Sequence, residues 1–252
     1  MKKVLSLLVL ALTASVCFAQ EELPELVPDR PGITWGAEVT PYQKVIWDHG
    51  FGFEKTPDNA KTLTLSSAVV RYGLFENVEL RVGTDFLMYG DADALAPSIG
   101  IAPLFVGTKI KLYESDGVLP SVGMLAELRS PHVGSKDLLP SYLAPSMYLL
   151  FEHELGDRFW LAYNAGLEWD GETAEPTTRL SLALGCNITD SFGVFLDSYN
   201  YLVRDDENLY MAELGFTWLV SRRVQLDLEG DFDLMNLGKY YAAGFGVSWL
   251  IN

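Results

Sequence analysis

The chain has 252 residues, 49% hydrophobic, 12% aromatic and 21% charged, with 34 acidic against 18 basic side chains and a formal charge of −16. The apolar share excludes a disordered chain, which would lack the surface to offset its own conformational entropy. The acidic balance excludes nucleic acid as a partner, because phosphate binding needs clustered Lys and Arg.

Residues 1–19 read as a secretory signal peptide: Lys2 and Lys3 precede an apolar run from Val4 to Leu12, and Cys17-Phe18-Ala19 leads into Gln20-Glu21-Glu22. The run falls short of the ~20 apolar residues that cross a bilayer as a helix. Cleavage removes two lysines and takes the formal charge from −16 to −18. It also removes Cys17, leaving Cys186 alone, so no internal disulfide supports the exported protein. Residues 20–42 form a periplasmic or plug-like segment, too short to be a folded plug domain. No later segment is apolar enough for a membrane helix, so any insertion must use strands.

From residue 43 to 252 the chain alternates with period two. Val78, Leu80, Val82, Phe86 and Met88 point one way, and Glu79, Arg81, Gly83 and Asp85 the other. The pattern recurs at Tyr210, Ala212, Leu214, Phe216 and Trp218, at Val224, Leu226 and Leu228, and from Tyr241 to Ile251. Strand is the regular state that sorts these residues. About twelve strands are predicted, at 43–54, 61–73, 78–89, 100–112, 121–130, 142–154, 159–169, 177–187, 192–201, 208–219, 224–233 and 240–251. In the second, Leu63 and Leu65 have opposite parity to Ala68 and Val70, which a bulge near Ser66-Ser67 would repair. Similar polar turns follow Leu74, Leu155, Ile188 and Val220, a repeat of one hairpin with its outer loop. Connections at the other end are mostly longer and rich in Asp, Pro and Gly.

The fold expected is an all-β, transmembrane, antiparallel up-and-down barrel in the outer membrane of a Gram-negative bacterium. A soluble barrel or sandwich shares the alternation. Three features favour the membrane version: small residues and Glu on the polar face, aromatics such as Trp47, Trp160, Trp169, Tyr210, Trp218 and Trp249 near strand ends, and a strand number too large for aliphatic side chains to fill the interior.

Two segments carry a family resemblance. Pro28-Asp29-Arg30-Pro31-Gly32-Ile33-Thr34-Trp35 opens on Asp-Arg-Pro ahead of the first strand. Arg71-Tyr72-Gly73-Leu74 leads through a polar turn into Glu79-Leu80-Arg81. Both resemble the outer-membrane transporter family labelled "MetA-pathway of phenol degradation". The resemblance implies passage of small molecules, apolar ones included, with Asp29, Arg30 and Pro31 as family positions. Terminal Asn252 departs from the aromatic last residue common in bacterial barrels.

The charged inner face supplies the candidate site: Glu79, Arg81, Asp85, Lys109, Lys111, Glu127, Arg129, Glu152, Glu168, Glu213, Asp227, Glu229 and Asp231. Such charges either line a wet pore or neutralise one another in a packed network. Unpaired, Asp227, Glu229 and Asp231 favour cations and neutral solutes; paired across the barrel with Arg81, Lys109, Lys111 and Arg129, they hold it shut. The balance leans to a narrow, partly occluded lumen. No cofactor or metal is expected, because His49, His132 and His153 form no close-spaced ligand set. Expected partners are outer-membrane lipid and small solutes, with the oligomeric state open. Two alternatives to a passive channel remain: a sealed scaffold or adhesin, and a rim hydrolase built on Ser130 and His132.

Overall fold

Alternation becomes pairing in the computed structural model, which describes residues 25–90, 96–204 and 208–251. The signal peptide, loop acids Asp91, Asp93, Asp205, Asp206 and Glu207, and terminal Asn252 lie outside the described residues. The strands are β1 (Val45–Lys55), β2 (Lys61–Phe75), β3 (Val78–Gly90), β4 (Ser98–Ile101), β5 (Phe105–Tyr113), β6 (Ser121–Arg129), β7 (Ala144–Leu155), β8 (Phe159–Glu168), β9 (Thr177–Asn187), β10 (Phe192–Leu202), β11 (Leu209–Ser221), β12 (Val224–Asp233) and β13 (Tyr241–Ile251). Each pairs antiparallel with its neighbours, and β1 closes the sheet on β13 from Val45↔Ile251 to Lys55↔Tyr241.

The result is a closed barrel of twelve staves, because β4 and β5 are two halves of one stave. β3 pairs with β4 over Phe86–Tyr89 and with β5 over Val78–Gly83. The single strand expected at 100–112 breaks at Ala102-Pro103-Leu104, since proline has no N–H for the ladder. Leu104 donates instead to the Val133 carbonyl of an adjacent loop. The expected bulge lies at Leu65, where the β2–β3 register steps from Thr64 to Ser66. This switches the parity between Leu63 and Val70, so both ends of β2 show side chains to one face.

The connections separate by end. Residues 76–77, 114–120, 156–158, 188–191 and 222–223 make the turn end, which also carries Val45 and Ile251. The opposite, loop end carries mostly longer connections, from residues 56–60 up to residues 130–143. Outward rows are apolar: Phe216, Leu228, Phe245 and Phe51 lie side by side on four successive strands, with Phe51 and Phe245 stacked at 4.9 Å. Leu228 and Phe245 are each 54% exposed, as a surface facing lipid requires. Cys186 shares this outward parity.

Inward, several aromatics lie over the glycine directly opposite on the next strand. These are Phe105 over Gly83, Tyr148 over Gly166, Trp160 over Gly185 and Phe195 over Gly215. In each pair a Cβ on the glycine would collide with the ring, so inward glycine here is space for a neighbour. Trp160 therefore points into the lumen and does not join the membrane-interface aromatics expected of it; parity outweighs its place near a strand end.

Candidate functional site

Residues 25–44 enter the lumen at the turn end, cross it and return to the turn end at the start of β1. A small apolar cluster anchors the entry, where Leu26 and Val27 pack against inward-facing Ile46, Leu250 and Leu219. The exit is fixed beside β2: Gln43 donates its N–H to the Gly73 carbonyl at 2.8 Å. A Cβ on Gly73 would overlap the Pro41 carbonyl, so glycine is needed for the segment to leave along the wall.

Between these points lies Asp29. Its carboxylate meets Lys109 Nζ at 2.6 Å, Arg81 Nη1 at 2.9 Å and Arg71 Nη1 at 3.6 Å. Two of the three cations are shared with wall carboxylates, while Lys109 Nζ also donates to the Gly36 and Glu38 carbonyls, each at 3.2 Å. Arg71 Nε bonds Asp48 at 2.7 Å, Arg71 Nη1 meets Glu79 at 3.2 Å, and Arg81 Nε meets Glu127 at 3.1 Å. Burial opposes the ionisation of Asp29, but Arg71, Lys109 and Arg81 outweigh it and hold the carboxyl well below the usual carboxylate range. Glu79 also accepts from the Thr40 N–H at 2.8 Å and hydroxyl at 2.7 Å. The two family-like segments thus meet: Asp29 from one contacts Arg71 and Arg81 from the other.

Arg30 turns the opposite way. Its Nη2 bonds Asp227 Oδ1 at 3.0 Å and Glu229 Oε1 at 3.4 Å, and its carbonyl accepts from Gln225 Nε2 at 2.9 Å. The guanidinium rests against Gly50 and Gly246, which leave it room on the wall. Beyond it Gly32, at φ +95°, donates its N–H to Glu229 at 3.1 Å.

The deepest stretch pairs residue by residue with β10, β8 and β7. Thr34 donates its N–H and hydroxyl to Asp197 at 2.9 and 2.7 Å. Trp35 and Asn164 exchange two bonds: Trp35 N–H to Asn164 Oδ1 at 2.8 Å, and Asn164 Nδ2 to the Trp35 carbonyl at 2.9 Å. Ala37 N–H reaches Glu152 at 2.9 Å. The Arg179 guanidinium stacks on the Trp35 and Tyr148 rings at 4.4 and 4.3 Å and pairs with Glu168 at 3.3 Å.

Most of the sequence-derived inner-face residues therefore touch this segment or the residues that hold it. Lys111 meets Glu38 at 3.0 Å, and Asp231 accepts from the Tyr199 hydroxyl at 2.8 Å. Asp85 and Arg129 face the lumen nearer the loop end and make no ion pair with the segment. Of the two arrangements open to the acidic stripe, pairing with Arg81, Lys109, Lys111 and Arg129 does not form among the described residues: Asp227 and Glu229 take Arg30, while Arg81 and Lys109 take Asp29. Arg71, Asp48, Asp197, Asn164 and Arg179 were missed by the charge reading, although each sits at inward parity beside an outward apolar residue.

Ser130 Oγ accepts from the backbone N–H groups of His132 and Val133 at 3.1 and 3.2 Å, a loop-closing role. Among the described residues no group of His, Cys, Asp or Glu converges on a metal position. A cavity of 460 Å³ opens at the turn end between the segment and β10–β12, lined by residues including Leu26, Asn187, Gly193, Thr217 and Gln225.

The family model described as "Putative MetA-pathway of phenol degradation" matches residues 28–251. No curated protein matches the chain in sequence. Among solved structures, the COG4313 outer membrane channel from Pseudomonas putida F1 superposes with a TM-score of 0.65 at 14% identity, covering 88% of this chain and 99% of that one. The NanC porin (TM-score 0.56, 11% identity, 81% and 98% covered) and the KdgM porin (TM-score 0.56, 9% identity, 81% and 99% covered) share the fold.

Proposed function

The chain belongs to the family whose model spans residues 28–251, and from that premise we propose that it is an outer-membrane channel for passive passage of small solutes. Its termini and short turns face the periplasm. Residues 25–44 narrow its lumen. The observation that carries this reading is the Asp29 contact with Arg71, Arg81 and Lys109, made inside a wall whose outward rows are apolar. Three wall cations gathered on one lumen-crossing residue would hold the passage narrow.

Reconstitution in planar bilayers tests it, with the intact mature chain beside a variant lacking residues 25–40. Small steps from the intact chain, and steps several-fold larger from the variant, are expected. Absence of conductance and of solute uptake in both would overturn the channel. The density of contacts favours one second reading, a sealed scaffold. Large steps confined to the shortened variant, which no partner or condition restores in the intact chain, would favour the scaffold.

A further inference from the structure

Charge is distributed unevenly around the lumen. On the β2–β6 side, Arg71, Arg81 and Lys109 are matched by Asp29, Asp48, Glu79 and Glu127. On β10–β12, inward carboxylates stand at Asp197, Glu213, Asp227, Glu229, Asp231 and Asp233. Among the described residues, Arg30 alone forms salt bridges with any of them, and it takes Asp227 and Glu229.

The register sharpens the imbalance. Asp197 lies directly opposite Glu213, and Glu213 directly opposite Asp231. Three carboxylates thus occupy adjacent positions of one cross-strand row, where Cβ atoms are ~4.5–5.5 Å apart and like charges repel. Ala183 and Ala242 flank the row, and Glu54 follows Ala242. Donors relieve the two outer members: Thr34 donates twice to Asp197, and Tyr199 donates to Asp231. Glu213 is 2% exposed, and its Oε1 is buried without a hydrogen-bond partner. A buried polar oxygen left unpaired is costly, and among the described residues no donor reaches it.

We propose that Asp197, Glu213 and Asp231 form a subsite for the primary ammonium group of a small organic solute. An ammonium head carries N–H donors on a compact positive charge, which suits an unpartnered Glu213 oxygen with a carboxylate on either side. The turn-end cavity lies along the same strands, with Gly193 and Thr217 two row positions below Asp197 and Glu213. Phe195 and Gly32 lie between the row and that cavity. The proposal rests on the channel reading only in requiring that solutes reach the lumen.

Equilibrium dialysis of the folded mature protein in detergent, with radiolabelled putrescine at low ionic strength, tests it directly. Saturable binding of one putrescine per chain is expected. Tetramethylammonium, which has charge but no N–H donor, is expected to bind at least tenfold more weakly. Glu213→Gln and Asp231→Asn, each checked for heat-modifiable migration, are expected to weaken putrescine binding tenfold or more. Asp116→Asn, in an exposed turn, should leave it unchanged. Wild-type binding by Glu213→Gln would overturn the subsite, since the isosteric amide would then show that a proton already satisfies this position. Equal affinity for tetramethylammonium, or no saturable binding by the wild type, would overturn it too. Failure here with solute flux in bilayers removes the subsite alone; binding without flux removes the channel reading alone.

Discussion

Gly50 on β1 lies directly opposite Gly246 on β13, at the seam that closes the barrel, and the Arg30 guanidinium rests on the pair. A Cβ at Gly50 would stand 2.5 Å from Arg30 Nη1. The next strand supplies Asp227, directly opposite Gly246, so recess and counter-charge occupy one cross-strand row. Gly246→Val is therefore expected to push the guanidinium off Asp227 and Glu229. Losing charge-assisted hydrogen bonds of about 1.5–3 kcal/mol should make proteolytic cleavage within residues 25–44 roughly tenfold faster or more. Limited proteolysis of the detergent-solubilised barrel measures this, with heat-modifiable migration unchanged. An unaltered cleavage rate would mean that Arg30 does not hold the segment.

Asp29→Asn removes the carboxylate that Arg71, Arg81 and Lys109 share. Breaking a buried ion pair costs on the order of 3–5 kcal/mol, because the partners stay charged. The Asp29 carboxyl is depressed in the folded state, so its contribution is complete above the unfolded value near 3.9 and is lost as pH falls through the lower folded value. The Asp29-dependent part of docking, read as the difference between wild type and Asp29→Asn, should therefore be constant from pH 8 to about 5 and weaken only in stronger acid. Cleavage rates with proteases active across that range would show it. A transition near pH 6 would contradict the assignment.

Leu228→Arg probes which face meets lipid. Leu228 is outward, 54% exposed, and lies between Phe216 and Phe245 at the middle of β12. An arginine at the bilayer midplane costs roughly 2–4 kcal/mol in barrels of this kind. Unfolding in urea from lipid vesicles should register that loss. A neutral effect would place this face in water and argue for a soluble barrel.

The sequence made the sheet readable because side-chain parity is a local property: Glu79 and Arg81 alternate with Leu80 and Val82, and each faces as its position requires. The bulge at Leu65 was legible for the same reason, as a parity conflict within one strand. Partner choice was not local. Asp29 meets Lys109 across 80 positions and Arg30 meets Asp227 across 197, so knowing which strands carry charge did not reveal which charge the segment would neutralise. Arg179 stood in a plain alternation with Leu180, Ser181 and Leu182, yet its place on the Trp35 ring depends on where residues 25–44 cross. Asp197 was obscured because Phe195 faces inward beside it, and an apolar inward residue blurs the contrast on which the pattern depends.

Asn164→Leu should separate the tip of the segment from its anchors. Asn164 gives Trp35 both a donor and an acceptor, at 2.9 and 2.8 Å, and leucine keeps the volume while removing both. The Trp35 N–H and carbonyl then lose their partners at a cost of about 1–3 kcal/mol each. The Asp29 and Thr40 contacts lie on the β2–β5 wall and do not pass through Asn164. Hydrogen exchange followed by mass spectrometry should therefore show peptides covering residues 34–37 exchanging at least tenfold faster, while residues 39–44 keep their protection. Uniform acceleration across residues 25–44 would mean that the segment docks as one cooperative unit, and that the Trp35–Asn164 pair secures the whole of it.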